Sequence, residues 1–268
     1  MELIASTSAW KNDLDAALSG LASLGFTEVD LIVIESWGLV SLAALLEDEK
    51  KETDRVRSLL RKHGLRARSV NTAFSPPMWD RSGESRRRRM RELEILLRFM
   101  RELGIERGAH YPGHIADWKN DPEGVWRATT DSLREIQEAL PPEGPALCPE
   151  LHFKTPYETP AAGRRLREEI PGIPYTYEPS HYIVNGWDYR ETADLLDGAA
   201  HIHFRGCAEG RLQAPPAVAS EALRWLLERL KARSYNGILS IEYLPGADFD
   251  AEEAIRDARA FIESAGRS

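Results

Sequence analysis

Short apolar runs alternate with longer amphipathic segments along the whole chain. The runs occupy residues 3–5, 29–34, 65–72, 105–111, 146–151, 173–178, 200–204 and 238–243. They are apolar on both faces, which is typical of parallel strands covered by helices. Between them, apolar residues recur at every third or fourth position, as helices with one buried face require. The pattern therefore predicts eight strand–helix units.

The predicted helices occupy residues 14–24, 39–46, 52–63, 84–103, 121–140, 159–169, 189–196, 218–232 and 251–264. Asn12 or Asp13 can cap the first, and Gly64 can end the third. No segment is long enough to be a linker, so residues 1–268 are expected to form one domain. Eight units over about 250 residues predict a single (β/α)8 TIM barrel. An open doubly wound sheet is the alternative, but no glycine-rich phosphate loop follows the first strand.

The fifth to eighth predicted strands each carry a polar residue at or near the carboxyl end. These residues are Glu150, Glu178, His203 and Glu242. In a barrel, such ends lie side by side, about 4.8 Å from one strand to the next, and they carry the active site. Three carboxylates at this spacing repel one another unless their pKa values rise or a cation lies between them. With one imidazole, they predict a site for one divalent ion such as Mn²⁺, Mg²⁺, Co²⁺ or Zn²⁺.

Composition narrows the functional class. The formal charge of −8 disfavours a nucleic-acid surface, and the run from Arg86 to Arg89 is interpreted as a solvated helix face. Two cysteines, Cys148 and Cys207, do not make a disulfide framework. The first ten residues lack the features of a signal peptide, and no apolar run approaches the roughly 20 residues of a membrane span. A cytoplasmic protein is expected.

Five stretches occur in an order and at a spacing that resemble one known family. They are Phe26-Thr-Glu-Val-Asp30, Glu150-Leu-His152, Tyr177-Glu178-Pro179-Ser180-His181, His201-Ile-His203-Phe-Arg205 and Tyr235-Asn-Gly237-Ile-Leu-Ser-Ile-Glu242. The resemblance, which covers nearly the whole chain, is to the xylose isomerase-like barrels. That family includes sugar isomerases and epimerases, inosose dehydratases and, more distantly, a DNA-repair endonuclease.

The resemblance implies roles for individual residues. Glu150, Glu178, His203 and Glu242 would hold the metal, and Glu150 and Glu242 would also be the catalytic acid/base pair. His181 would contact substrate oxygens near the metal. The implied activity is a metal-dependent isomerisation or epimerisation of a sugar or polyol, by proton abstraction next to a carbonyl through an enediolate.

Further substrate contacts are expected around this centre. His152 lies two residues after Glu150 and should point the same way. Arg205 or Arg211 could neutralise developing enolate charge, with an ion pair to a neighbouring carboxylate as the alternative. His110 and His114 flank the position where the family often has His-Pro-Gly. Five tryptophans in strand-to-helix loops could wall a ring-shaped substrate, or pack in the core or a subunit interface: Trp10, Trp37, Trp79, Trp118 and Trp187.

Two departures from the family pattern leave the reaction open. Glu178 stands where the family usually has Asp, and the loop at residues 206–216 lacks a common Gly-x-Gly stretch. A dehydratase of a keto-sugar or keto-cyclitol and a non-catalytic sugar-binding barrel are therefore kept as alternatives. The endonuclease is disfavoured because its multi-metal site needs several more histidines than the seven of this chain, and because the negative net charge does not suit a phosphate backbone. No basic cluster predicts a phosphate site, so an unphosphorylated substrate is favoured. Relatives often form homodimers, and the sequence leaves the oligomeric state open.

Overall fold

The computed structural model describes residues 1–113 and 118–266, and these residues contain ten strands. Eight are parallel and belong to one sheet: β1 Glu2–Ser6, β2 Glu28–Val33, β3 Arg66–Ala73, β4 Arg107–Tyr111, β5 Ala146–Pro149, β6 Tyr175–Tyr177, β7 Ala199–Phe204 and β10 Ile238–Ile241. β8 Gly206–Ala208 and β9 Arg211–Ala214 form a separate antiparallel hairpin. The order in the large sheet is β5-β4-β3-β2-β1-β10-β7-β6. Neighbours in space follow the chain, as in a (β/α)8 barrel.

The barrel closes between its fifth and sixth strands through a single bridge. Glu150 pairs with Thr176 in parallel, and the Leu151 amide donates to the Thr176 carbonyl at 3.1 Å. Closure removes the two free sheet edges that an open sheet would expose. The predicted single TIM barrel is thus confirmed, and the open doubly wound alternative is wrong.

Helices surround the sheet in the predicted alternation. They are α1 Leu14–Ser23, α2 Leu42–Glu47, α3 Glu49–Lys62, α4 Gly83–Leu103, α5 Pro122–Ala139, α6 Pro160–Glu169, α7 Ser180–Ile183, α8 Ser220–Ala232 and α9 Ala251–Gly266. Asp13, of the two predicted caps, accepts from the Ala16 amide at 2.9 Å. In the described residues, every helix is too short or too polar to cross a bilayer.

Some elements differ from the pattern-based boundaries. The predicted helix at 189–196 is a 3₁₀ helix, Tyr189–Gly198. Ser41 and Asp48 cap α2 and α3, so α2 starts three residues later and α3 three residues earlier than predicted. The short helix α7 and the β8–β9 hairpin were not predicted. Both are too short to show a repeating apolar pattern, and the hairpin reverses at Gly210 with a φ of 69°.

The barrel interior contains a group of polar side chains, although its strands are apolar overall. Asp30 on β2 contacts the hydroxyls of Ser69 on β3 and Ser240 on β10. These strands are not all neighbours, so the three side chains meet inside the barrel. On the outer face, Phe204 of β7 packs against Phe261 of α9. Both cysteines are buried free thiols. Apolar residues thus cover the sheet from outside, and the interior holds polar groups that face one another.

Gly108 provides a test of the strand packing. A Cβ atom at this position of β4 would lie 2.6 Å from Val70 Cγ2 and 2.9 Å from Leu147 Cδ2. We expect Gly108→Ala to lower the free energy of unfolding by about 1–3 kcal/mol because two neighbouring strands must yield. Gly83→Ala is the control, since its Cβ would meet only the movable Arg87 guanidinium. Equal stability of the two variants in urea unfolding would contradict this packing.

Candidate functional site

Three glutamates occupy the same structural position on different strands. Glu150, Glu178 and Glu242 are each the first residue after a barrel strand, namely β5, β6 and β10. The Glu150 amide donates to the His110 carbonyl at 3.0 Å, and the Glu242 amide donates to the Phe204 carbonyl at 3.2 Å. These bonds extend the sheet by one residue and fix both backbones. The rigid sheet therefore presents the carboxylates at the carboxyl end of the barrel.

His203 of β7 lies at the centre of these carboxylates. Its Nδ1 is 3.0 Å from Glu150 Oε1, 3.4 Å from Glu242 Oε2 and 3.6 Å from Glu178 Oε2. One ligand atom from each of the four residues lies within 4.8 Å of the other three. All four side chains are buried. The structure thus brings together the four residues expected to hold a metal.

Three cationic or polar side chains surround the cluster. Arg205, the first residue after β7, forms a two-pronged ion pair with Glu178: Nε donates to Oε1, and Nη2 donates to Oε2 at 2.6 Å. Nη2 also lies 3.3 Å from Glu242 Oε2. His181 Nε2 lies 3.2 Å from Glu150 Oε1 and 3.1 Å from Glu178 Oε2. Asn71 Nδ2 donates to Glu242 Oε1 at 2.9 Å.

These contacts give the carboxylates different proton affinities. Burial works to raise the pKa of Glu178, but Arg205 and His181 hold it well below its usual range. Burial works to raise the pKa of Glu150 too, but the hydrogen bonds from His181 and His203 and the charge of His203 hold it well below its usual range. Burial raises the pKa of Glu242, and the opposing effects of His203 and Arg205 do not cancel it. Glu242 therefore accepts a proton more readily than the other two.

The cluster attracts positive charge. Burial alone would lower the pKa of His203, yet Glu242, Glu150 and Glu178 raise it well above its usual value. The pKa of His181 is raised as well, since Glu178 and Glu150 outweigh burial. Three carboxylates and an imidazole also form a donor set that divalent ions accept. On both geometry and chemistry, these residues fit a divalent cation.

A cavity of about 480 Å³ opens above the cluster. Glu150, Glu242 and Arg205 form its floor together with Asn71 and His152. Its walls are mainly apolar and aromatic: Ile32, Ile34, Trp37, Ala73, Phe74, Pro77, Tyr111, Leu212 and Leu244. A few converging polar groups under apolar walls are typical of a small-molecule site.

The remaining predicted contacts separate into two groups. His152 lines the cavity, and its Nδ1 donates to the Phe153 carbonyl at 2.6 Å, which leaves Nε2 as an acceptor. Its ring lies 4.0 Å from that of His181. Burial, followed by the charge of His181, lowers the pKa of His152 to about 3, so this ring is neutral.

His110, Arg211 and Trp10 do not line the cavity in the described part of the chain. His110 is fully buried beside Phe74, and burial lowers its pKa to about 4. Arg211 is exposed and pairs with Asp248 at 2.6 Å, which is the ion-pair alternative. Trp10 packs against Gly20 of α1. Of the tryptophans, Trp37 lines the cavity, Trp79 and Trp187 are exposed, and Trp118 lies in a 3₁₀ helix outside the lining. His114 lies outside the described residues.

Two polar residues of this region were not predicted. Asn71 orients Glu242, and Asp30 lies with His201 and His203 in a group whose ligand atoms are within 4.8 Å of one another. Asp30 interrupts the apolar strand β2, and that interruption is the signal that could have identified it, whereas Asn71 lies among other polar residues of β3 and carries no such signal. Burial raises the pKa of Asp30 to about 7, against the lowering effects of His203 and Ser69.

Asp30 predicts a pH dependence of stability for the metal-free protein. Its folded pKa of about 7 exceeds the reference value of 3.8, so the stabilisation of the folded state by the neutral Asp30 carboxyl is complete below pH 4. It is lost progressively as pH rises, and the loss is complete above the folded pKa. We expect unfolding between pH 4.5 and 7.5 to show a decline, at most about 4 kcal/mol, that Asp30→Asn lacks. The exposed Asp131→Asn should keep the wild-type dependence, and identical curves for both variants would contradict this.

The comparisons with known proteins agree with this architecture. Residues 18–265 match the family model described as xylose isomerase-like TIM barrel. No curated protein matches the sequence. Among solved structures, a D-tagatose 3-epimerase-like protein aligns with a TM-score of 0.73 and 18% identity, covering 100% of this chain and 99% of the other.

Two further structures show the same fold. The IOLI protein with a bound zinc atom has a TM-score of 0.69 at 17% identity, covering 99% and 98% of the two chains. A probable 3-DHS dehydratase of petrobactin synthesis from Bacillus anthracis has a TM-score of 0.68 at 13% identity, covering 99% of each chain. The family model covers most of the sequence, and the fold agrees with it. This chain therefore belongs to the xylose isomerase-like TIM barrel family.

Proposed function

We propose that this protein is a divalent-metal-dependent isomerase or epimerase of a sugar or polyol, acting by proton abstraction next to a carbonyl. One observation carries the proposal. Four ligand atoms, from Glu150, Glu178, His203 and Glu242, converge within 4.8 Å at the carboxyl end of the barrel. Glu150 and Glu242 also line an apolar-walled cavity directly above them. A metal centre under a small-molecule cavity fits this reaction class.

The same four residues would hold the ion, with Mn²⁺ as the first candidate and Mg²⁺, Co²⁺ or Zn²⁺ as alternatives. The zinc bound to the IOLI protein supports a metal in this fold without identifying the one used here. When bound, a divalent ion polarises a substrate carbonyl and the neighbouring hydroxyl, which acidifies the C–H bond between them.

Glu150 and Glu242 would transfer the protons. They end β5 and β10, which are separated by β6 and β7, so they approach the cavity from different sides. Their environments also differ: charged and donor neighbours lower the pKa of Glu150, whereas burial raises that of Glu242. A carboxyl group that favours its ionised form and another that favours its protonated form suit an acid/base pair. Asn71, by donating to Glu242 Oε1, would keep its other oxygen directed at the centre.

Other side chains would recognise substrate oxygens. His181 lies between Glu150 and Glu178, close to any oxygen brought to the metal. His152 offers a neutral acceptor nitrogen in the cavity. Among the described lining residues, Arg205 is the one Lys or Arg, and it is already paired with Glu178. An unphosphorylated sugar is therefore favoured over a sugar phosphate, because no unpaired cation awaits a phosphate in this lining.

A dehydratase acting on a keto-sugar or keto-cyclitol is the second candidate. The structural likeness to a probable 3-DHS dehydratase favours it, and the same proton abstraction would begin both reactions. The fates of the enolate differ: reprotonation gives an isomer, whereas loss of a neighbouring hydroxyl gives a dehydrated product. Product analysis separates the two.

Metal binding is the first test. Calorimetric titration of chelator-stripped protein with Mn²⁺ should show saturable binding of about one ion per chain, and Glu150→Ala should lose it because one buried carboxylate is removed. Glu138→Ala, on the exposed face of α5, is the control and should bind as the wild type does. Absence of binding to the wild-type protein would remove the metal from the proposal and leave a sugar-binding barrel.

Proton transfer is tested by hydrogen exchange on a panel of keto-sugars in deuterated water. Wild-type enzyme should exchange one C–H next to the carbonyl, and Glu242→Gln should slow this by about 100-fold or more, the usual contribution of an acid/base group. Exchange at the wild-type rate in Glu242→Gln would refute the assignment. The exposed Glu252→Gln serves as the matched control. Tight sugar binding without exchange by the wild-type protein would instead favour the sugar-binding barrel.

A further inference from the structure

Arg205 holds a permanent positive charge inside the carboxylate cluster. The side chain is 2% exposed, and its Nη2 contacts both Glu178 and Glu242. Arginine does not lose its proton in proteins, so this charge is present at every working pH. The cluster therefore contains a cation before any metal arrives.

The arginine also occupies the oxygens that a metal would use on Glu178. Oε1 accepts from Arg205 Nε and from the Ser180 hydroxyl, which fills its two lone-pair directions. Oε2 accepts from Arg205 Nη2 at 2.6 Å and lies 3.1 Å from His181 Nε2. Of the two Glu178 oxygens, Oε2 is the one left for an ion, and it already accepts from the guanidinium, so an ion there would compete with Arg205.

The charges lead to the same competition. With His181 and His203 unprotonated, Glu150, Glu178 and Glu242 supply three negative charges when ionised, and Arg205 removes one. The remainder equals the charge of one divalent ion. Without Arg205, the same ion would meet a full additional negative charge at close range in a buried site, where Coulomb energies are several times larger than in water. Breaking a buried ion pair by removing one partner also destabilises a fold, because the other charge is no longer compensated.

We infer that Arg205 is an internal counter-cation that weakens metal binding and stabilises the empty site, so that the ion is exchangeable rather than permanently held. Its partner Glu178 is the residue that makes this possible, because its carboxylate reaches both the guanidinium and the centre of the cluster. The inference rests on the proposed metal site and adds to it a residue that sets the metal affinity.

The test compares metal affinity with stability in variants that separate charge from geometry. Arg205→Met removes the charge. It should bind Mn²⁺ at least about tenfold more tightly than wild type in calorimetry, since the competing cation is gone. Its melting temperature should fall below that of wild type in chelator and recover when Mn²⁺ is added. Arg205→Lys keeps the charge without the planar two-pronged geometry, and its Mn²⁺ affinity should stay within about threefold of wild type.

The controls cover the other outcomes. Arg205→Gln is also neutral but can still donate to Glu178, and it replaces the methionine variant if that does not fold. Arg164→Met removes a half-exposed arginine that pairs with Asp194 elsewhere, and it should change neither affinity nor metal-dependent stability.

Unchanged or weaker Mn²⁺ binding by the neutral variants would overturn the inference and make Arg205 a clamp that positions Glu178. Binding by Arg205→Met but not by wild type would support the inference while refuting metal dependence of the natural protein. Absence of binding by both proteins would refute both proposals.

Discussion

The structure depends on keeping three carboxylates together out of water. An isolated buried charge is strongly unfavourable, and like charges at this spacing make it more so. The chain satisfies the constraint by giving each carboxylate a polar partner. Arg205 donates two hydrogen bonds to Glu178, His181 lies between Glu178 and Glu150, and Asn71 donates to Glu242. Each glutamate thus has a polar partner from another segment of the chain. The cluster is held by the same barrel strands that create it.

The rigid sheet and the cluster have complementary roles. Backbone bonds from Glu150 to His110 and from Glu242 to Phe204 place the carboxylates on the sheet itself rather than on mobile loops. Chemistry that depends on sub-ångström placement is favoured by such mounting. The cavity walls, by contrast, include residues outside the barrel strands, such as Trp37, Leu212 of the β8–β9 hairpin and Leu244. The cluster and the walls around it thus come from different parts of the chain, so the fold alone does not identify the substrate.

Much of the barrel could be predicted because its strands and helices follow long repeating patterns. The position of Glu150, Glu178 and Glu242 after their strands followed from those patterns and from the convergence of parallel strand ends. The partner of a particular side chain could not be predicted in the same way. Arg205 and Arg211 had equal claims to a substrate from sequence, yet one lies inside the cluster and the other pairs with Asp248 outside the cavity. Three-dimensional proximity decides between them, and no local pattern encodes it.

The hidden polar residues illustrate a second limit. Asp30 and His201 lie among apolar residues of their own strands, so the hydrophobic pattern of the sequence gives no reason for a polar residue at either position. Inside the barrel they lie close to each other and to His203, and Asp30 also accepts from the hydroxyls of Ser69 and Ser240. Their reason is the shared interior, which exists only after eight strands have closed.

The closing bridge between Glu150 and Thr176 has a consequence for how the barrel holds itself shut. The seam between β5 and β6 is joined at the residue that ends β5, and Glu178 lies on the opposite side of that seam. An ion held by both glutamates would link the two strands that are joined by a single bridge. Loading the site would then slow the opening of this seam, and amide protection at Leu151, whose proton crosses the join, would report occupancy without any substrate.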